Sequence, residues 1–353
     1  MSADRMRKTS CSVPSAESQA GRSEKSSKKS KKKEKTDARS TGTGSQRKNG
    51  AWLLFSAHWR CGIARKKVYA KRCTQKGKKM DGSILRLKTN SRELMLTAPL
   101  WMAILNVTPD SFSDGGRTGV RESAEHAMRL LAQGADILDI GGESSRPGAD
   151  PVSAKDEIER IGPVIREILT RSAENGLPKP FLSVDTYHPE TAEFAVSLGV
   201  EMLNDISGLR DPAMIRIVRD SGAAVCFMHM QGTPKTMQTA PHYENVLEDV
   251  FYWLARRRDA LLEAGLEREK LVADFGLGFG KTMEQNWILA ENARRFQELG
   301  IPILAGHSRK CFLNRILEVH PEMDRDDATH AVSRLLVLQG VQLLRTHVRP
   351  EIE

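Results

Sequence analysis

The 353-residue chain lacks any long apolar run; nothing in it approaches the ~18 consecutive apolar residues of a membrane span. It gives no sign of a bilayer-crossing helix. Its five cysteines are odd in number and show neither CxxC nor Cys/His spacing. That pattern argues against a disulfide framework and against a zinc site, and points to a reducing, cytoplasmic setting. Residues 1–50 contain no Leu, Ile, Phe, Trp or Tyr. A segment so poor in apolar surface cannot offset its ordering entropy, so this Ser- and Lys-rich arm is expected to be disordered. The apolar stretch AWLLFSA (residues 51–57) begins after fifty polar residues, too late for a secretory leader.

What is present divides by charge. Residues 1–80 hold 23 Lys+Arg against 5 Asp+Glu, whereas the rest holds 31 against 40. The formal net charge of +9 therefore hides a basic extension before an acidic domain. An acidic domain is a poor nucleic-acid binder, because neutralising phosphates takes clustered Lys and Arg. The expected organisation is a non-catalytic extension over residues 1–79 and a folded domain over residues 80–353. Hydrophobic residues at 39% and 27 glycines give the chain as a whole ordinary globular composition.

From residue 80 the pattern becomes regular. Residues 83–88 and 94–96 read as a short hairpin. Eight apolar strands follow, at 101–106, 136–140, 180–185, 201–205, 223–228, 271–274, 302–305 and 342–345. Helical patterns separate them, at 121–133, 154–171, 189–198, 212–220, 244–264, 284–299, and 309–317 with 327–339. In the second helix Ile158, Ile161, Ile165 and Ile168 keep helical spacing, and Ser153 stands as N-cap with Asp156 three residues on. Parallel neighbours need long crossovers, so this alternation predicts a parallel sheet. Eight repeats in about 250 residues predict an α/β fold of the (β/α)8 TIM-barrel kind. A doubly wound sheet is the alternative. Only residues 347–353 follow the eighth strand, so the eighth helix is expected to be incomplete.

Polar residues gather at the strand ends: Asn106, then 141–146, Asp185, Asn204 and Asp205, His229, Asp274, 308–310, and Arg345 with His347. A barrel brings all of these to one face, where active sites form. A lone Asp after a strand is usually a helix cap. Asp185 and Asp274, however, lie inside apolar strand patterns and need buried partners. Two Asp, an Asn and a Lys can read a flat heterocycle with a guanidine-like edge. Arg345, His347 and Asn106 suit an anion with a hard cation such as Mg2+. The segment GLGFGK (276–281) lacks the spacing of a phosphate loop. It reads instead as backbone that comes close to a flat ligand, with Phe279 offering a ring face.

These segments resemble the dihydropteroate synthase family. ILNVTPDSFSDGG (104–116) and GADILDIGGESSRPGA (134–149) resemble its first two signatures. SVDT (183–186), LNDISGL (203–209), MHMQGTPKTMQ (228–238), GFGK (278–281), SRK (308–310) and RTH (345–347) follow in family order. The resemblance implies a pterin-binding barrel that joins 6-hydroxymethyl-7,8-dihydropterin diphosphate to p-aminobenzoate, giving 7,8-dihydropteroate and pyrophosphate. It assigns Asp185, Asn204, Asp274 and Lys310 to the pterin, Arg345 and His347 to the diphosphate, and Asn106 to Mg2+. Ser145, Arg146, Pro147, Phe279 and Ser308 would shape the p-aminobenzoate pocket. Neither a general base nor a covalent nucleophile is assigned, since an arylamine is nucleophilic unaided. The resemblance also implies a homodimer and a sulfonamide target.

The chain departs from the family at several points. Phe275 stands where Pro is common, Ser145 where many members have Thr, and Cys311, Asn314 and Val348 replace common Ser, Gly and Asp. Phe275 and Cys311 are therefore candidate positions for altered sulfonamide binding. Two rival readings remain at this stage. One is the methyltetrahydrofolate–corrinoid methyltransferase barrel, which has no need for SRK plus RTH. The other is a pterin-binding protein without turnover.

Overall fold

The computed structural model describes residues 85–107, 117–144 and 148–352. The basic extension, the 108–116 loop of the first signature, and Ser145, Arg146 and Pro147 lie outside the described residues.

Eight strands close into a barrel: β3 (Leu100–Asn106), β4 (Ile137–Gly141), β5 (Leu182–Asp185), β6 (Met202–Asp205), β7 (Ala224–Met228), β8 (Leu271–Asp274), β9 (Ile303–Ala305) and β10 (Leu343–Thr346). Each pairs in parallel with the next, and β10 returns to β3. Helices cover the outside, so β4 and β7 are buried at every position. That burial on both faces is why their sequences read as continuous apolar runs rather than alternating ones. The expected strands agree with these to within two residues, and the TIM barrel is the fold.

The crossovers are α1 (Arg117–Ala132), α2 (Ala154–Glu174), α3 (Pro189–Ser197), α4 (Pro212–Ser221), α5 (Val246–Glu263), α6 (Met283–Glu291), α7 (Asn314–Val319) and α8 (Arg325–Leu338). Ser153 caps α2 by accepting from the Asp156 N–H at 3.1 Å. The helix expected over 284–299 stops at Glu291 and continues as a 3-10 turn over Ala293–Leu299. There the Asn292 side chain donates at 2.8 Å to the Ile288 carbonyl, which also accepts the Asn292 N–H at 3.2 Å, so both donors of Asn292 end on the last helical turn. Residues 347–352 contain no helix; the Glu351 N–H donates to His330 Nδ1 at 3.1 Å.

The expected hairpin is present, with β1 (Arg86–Lys88) antiparallel to β2 (Glu93–Met95); residues 83 and 84 of the expected first strand lie outside the described residues. It closes the end of the barrel where the strands begin. Leu87 and Leu96 pack with residues at the start of the barrel strands: Met102, Ile137, Phe181 just before β5, Met202, Ala224 and Cys226, Val272, Leu304 and Leu343. Its turn is fixed to the barrel by Glu201, which accepts from Arg92 at 2.6 and 2.7 Å and from Thr89 at 2.9 Å.

Candidate active site at the strand ends

The apolar floor sets the register of the site. Side chains along a strand face the same side every second residue. Two positions beyond the floor, the inward faces carry Ile104, Asp139, Ser183, Asn204, Met228, Asp274, Gly306 and Arg345. Four positions beyond it come Asn106, Gly141, Asp185, Ile206, Gly276, Ser308 and His347. A hydrocarbon layer thus gives way, within two residues, to a polar mouth.

Arg345 organises that mouth. Its Nε donates to Asp139 Oδ2 at 2.6 Å and its Nη2 to Asp185 Oδ2 at 2.7 Å. Against its burial, these two carboxylates raise its pKa above the ordinary value, so the guanidinium stays charged. Burial pushes the Asp185 carboxyl up, and Arg345 resists that shift. Asp139 Oδ2 also accepts from Asn204 Nδ2 at 3.0 Å. A carboxylate only accepts, so this contact fixes the Asn204 amide with its oxygen free for a donor on the ligand. Asp274 Oδ1 accepts from the Gly276 N–H at 2.7 Å, while its Oδ2 lies beside Gly306, where no side chain intervenes. Burial raises the Asp274 pKa too, with Lys310 opposing.

Lys310 approaches from the loop after β9. Its Nζ donates to the Leu277 carbonyl and lies 4.3 Å from the centre of the Phe279 ring. Burial lowers its ammonium to about 8. Ser308 and His347, from the ends of neighbouring strands, meet at 2.9 Å through Oγ and Nδ1. The structure therefore brings Asp185, Asn204, Asp274, Lys310 and Arg345 into one cluster, with Phe279 under Lys310 and Ser308 beside His347. Asn106 ends β3 opposite Gly141, at the same mouth.

Two sequence expectations need correction. The glycines at 276 and 280 make room for the protein's own backbone rather than for a flat ligand. A Cβ there would fall 2.0 Å from the His229 carbonyl oxygen and 2.9 Å from that of Gln231. Phe275 does not face the site; it is fully buried and stacks on Phe296 at 4.8 Å, between barrel and helix layer. A direct effect of Phe275 on a bound drug is therefore set aside.

Asp139 was not singled out from the sequence. A charged residue in the middle of ILDIG was the available signal. The clamp on the SRK loop was also missed. Arg309 holds a left-handed φ of 56°, and Asp326 on α8 binds its guanidinium twice at 2.7 Å. Thr329 accepts the Arg309 N–H at 3.1 Å. This clamp turns Arg309 outward and its neighbours Ser308 and Lys310 inward. Non-glycine residues in this backbone region need such support.

The mouth also suits a hard cation at Asn106. A Cβ at Gly141 would lie 3.9 Å from both Asn106 Oδ1 and Asp185 Oδ2, so the absence of a side chain there leaves an oxygen-lined space. Among the described residues no group of three or more His, Cys, Asp or Glu gathers for a metal. One neutral protein oxygen, with the rest from phosphate and water, is a Mg2+ arrangement. A cavity of about 680 Å3 lies elsewhere, bordered by His229, Tyr243 and Trp253. The mouth is the better candidate, because the converging charged groups are there.

Comparison with known proteins gives the family of the chain. Residues 102–347 match the family model described as pterin binding enzyme. The chain is 38% identical over 264 residues to dihydropteroate synthase of Haemophilus influenzae, covering 74% of this chain and 94% of that one. Among solved structures, Xanthomonas albilineans dihydropteroate synthase with 4-aminobenzoic acid is 39% identical with a TM-score of 0.66, covering 75% of this chain and 93% of that one. The Burkholderia cenocepacia enzyme complexed with 7,8-dihydropteroate is 37% identical with a TM-score of 0.65, covering 75% and 91%. The Yersinia pestis enzyme in a sulfonamide drug complex is 36% identical with a TM-score of 0.67, covering 75% and 94%.

Proposed function

The chain belongs to the pterin-binding enzymes, and among them to the dihydropteroate synthases, and from its site we propose how its own residues carry out that reaction. It is a transferase of folate biosynthesis, joining 6-hydroxymethyl-7,8-dihydropterin diphosphate to p-aminobenzoate with release of pyrophosphate. This membership decides against the corrinoid methyltransferase reading. The likeness to the Yersinia pestis complex makes it a sulfonamide target as well.

The observation that carries the mechanism is the acceptor row formed by Asp185, the free Asn204 oxygen and Asp274 Oδ2. A pterin ring presents adjacent N–H groups on its edge, and such a row accepts them. Lys310, with its proton held above Phe279, donates to the ring's carbonyl or ring nitrogen. Arg345 and His347 face the diphosphate. Magnesium bound at Asn106 would neutralise charge developing on the departing pyrophosphate.

The box contains the carboxylates of Asp139, Asp185 and Asp274 against the cations of Lys310 and Arg345. The surplus of negative charge favours the delocalised cation left on the pterin methylene when pyrophosphate departs. The p-aminobenzoate amine then attacks from the side of Phe279 and Ser308, the pocket to which the family resemblance also assigns Ser145, Arg146 and Pro147. The new C–N bond replaces the broken C–O bond to pyrophosphate, the acidic proton left on the amine passes to water with no base of the protein assigned, and much of the rate comes from holding the two substrates in line. A cytoplasmic location rests on the five cysteines of the sequence, whose spacing fits no disulfide framework. A homodimer rests on the family alone, and sedimentation of the full chain tests it.

The test is calorimetry of pterin diphosphate binding. Asp185→Ala and Asp274→Ala should each lose about 1.5–3 kcal/mol, as expected for a charged hydrogen-bond set. Undiminished binding in both variants would overturn the acceptor row.

A further inference from the structure

We propose that Lys281 is a positioning residue for the p-aminobenzoate side of the reaction, holding the glycine-rich segment after β8 in the one shape that presents Phe279. The inference rests on the function proposed above. Lys281 follows that segment and is nearly fully buried, at 3% exposure. Its Nζ donates to the Gly276 carbonyl at 2.8 Å and to the Phe279 carbonyl at 2.9 Å, and its third donor reaches His229 Nδ1 at 3.2 Å. An ammonium has three donors, and all three end on neutral acceptors. Among the described residues no carboxylate lies within ion-pair distance of it; burial lowers its ammonium to about 7, with the more distant Asp274 carboxylate opposing. A buried lysine used in this way is costly to keep, so an ordinary structural link would be made more cheaply by a neutral side chain.

The segment it ties is glycine-rich and needs many such bonds to hold one shape. Gly276, Gly278 and Gly280 all have positive φ, alternating with Phe275, Leu277 and Phe279. A chain with three glycines in six residues loses much conformational entropy on ordering. Every carbonyl from 276 to 281 is nonetheless engaged. Lys281 takes those of Gly276 and Phe279, Lys310 takes Leu277, Gln238 takes Gly278 at 3.1 Å, Tyr243 takes Gly280 at 2.8 Å, and Asn286 takes Lys281 itself at 3.4 Å. Among these, Lys281 alone bonds two carbonyls of the segment. It draws Gly276 toward Phe279 and closes the turn whose Phe279 N–H already reaches the Gly276 carbonyl at 3.2 Å. That turn sets the Phe279 ring, and the Asp274 carboxylate is bonded to the first amide of the same segment.

His229 is shaped to receive the lysine. Burial, and then Lys281 itself, lower its imidazole to about 2. It therefore remains neutral and offers Nδ1 as an acceptor. Its other face packs edge-on against Trp253 at 5.1 Å. The tie thus runs from the end of β7 through Lys281 to Phe279, without touching the pterin acceptors Asp185 and Asn204.

The experiment uses the full chain with Lys281→Met and Lys281→Gln, the second retaining an N–H2 donor without charge. Steady-state KM is measured for each substrate, with calorimetry of pterin diphosphate binding and a thermal midpoint. In Lys281→Met the KM for p-aminobenzoate should rise about ten-fold or more, while pterin diphosphate affinity changes far less. Lys281→Gln should fall between this variant and the parent, and it carries the test if the Met variant does not fold. Equal changes in both substrates, or an unchanged p-aminobenzoate KM with only a lower thermal midpoint, would make Lys281 a structural staple and overturn the proposal. Absence of turnover by the parent chain would instead overturn the functional reading beneath it.

Discussion

Arg345 holds two carboxylates that come from strands far away in the chain, with 206 and 160 residues of separation. Only its planar fork can reach Asp139 and Asp185 at once; a lysine ammonium is a point charge on a flexible stem. Arg345→Lys should therefore weaken pyrophosphate binding by roughly 1.5–3 kcal/mol, measured calorimetrically against the parent chain. Equal affinity would remove Arg345 from the diphosphate site. Asp185, Asn204, Asp274 and Arg345 were legible in the sequence because each is a polar residue interrupting an apolar strand. Asp139 interrupts its strand in the same way. Its importance lies in whom it meets, and no spacing along the chain reports a contact made across a barrel. The same holds for Asp326, whose grip on Arg309 depends on how α8 packs beneath the loop after β9.

At the scale of elements, strands and helices were readable because each strand is short, apolar and bounded by turn residues. Interruptions such as the one at Asn292 were not, since a side chain bonding its own helix leaves the periodicity intact. The hairpin shows how an element is secured. Glu201, fully buried at the start of β6, receives Arg92, Ser91 and Thr89 from the hairpin turn. Burial resists, yet those donors, Arg92 foremost, lower its carboxyl to about 2. Because the folded pKa lies below the unfolded one, this stabilisation is complete above about pH 4.5 and is lost as pH falls toward 2. Its size is on the order of 3 kcal/mol. Urea melts of Glu201→Gln should show lower stability than the parent at pH 7 and a smaller loss between pH 4.5 and 3. Parallel pH curves for the two proteins would show that the carboxylate does not anchor the hairpin.

For the whole molecule, residues Met80–Glu353 form a compact unit that contains the entire family match. The charge contrast sets residues 1–79 apart as a basic arm whose composition offers little to pack, and we propose that catalysis does not require it. A chain of residues 80–353 should match the full chain in turnover and shift its melting temperature little. A several-fold loss of activity, or an insoluble product, would place the arm in the working enzyme. The barrel itself closes where β10 joins β3, with Trp101 Nε1 donating to the Thr346 carbonyl across 245 residues. Bringing such distant segments together is the slow part of folding, because the loop entropy is spent before the contact rewards it. The strand that closes the barrel is also the one that carries Arg345. Until it docks, Asp139 and Asp185 face each other without a cation, and their repulsion favours keeping the mouth open and hydrated. Closure of the sheet and pairing of these carboxylates with Arg345 are then a single event, so a molecule still short of its last strand pairing would have most of its helices and lack the proposed diphosphate site. The ability to bind substrate thus marks completed folding.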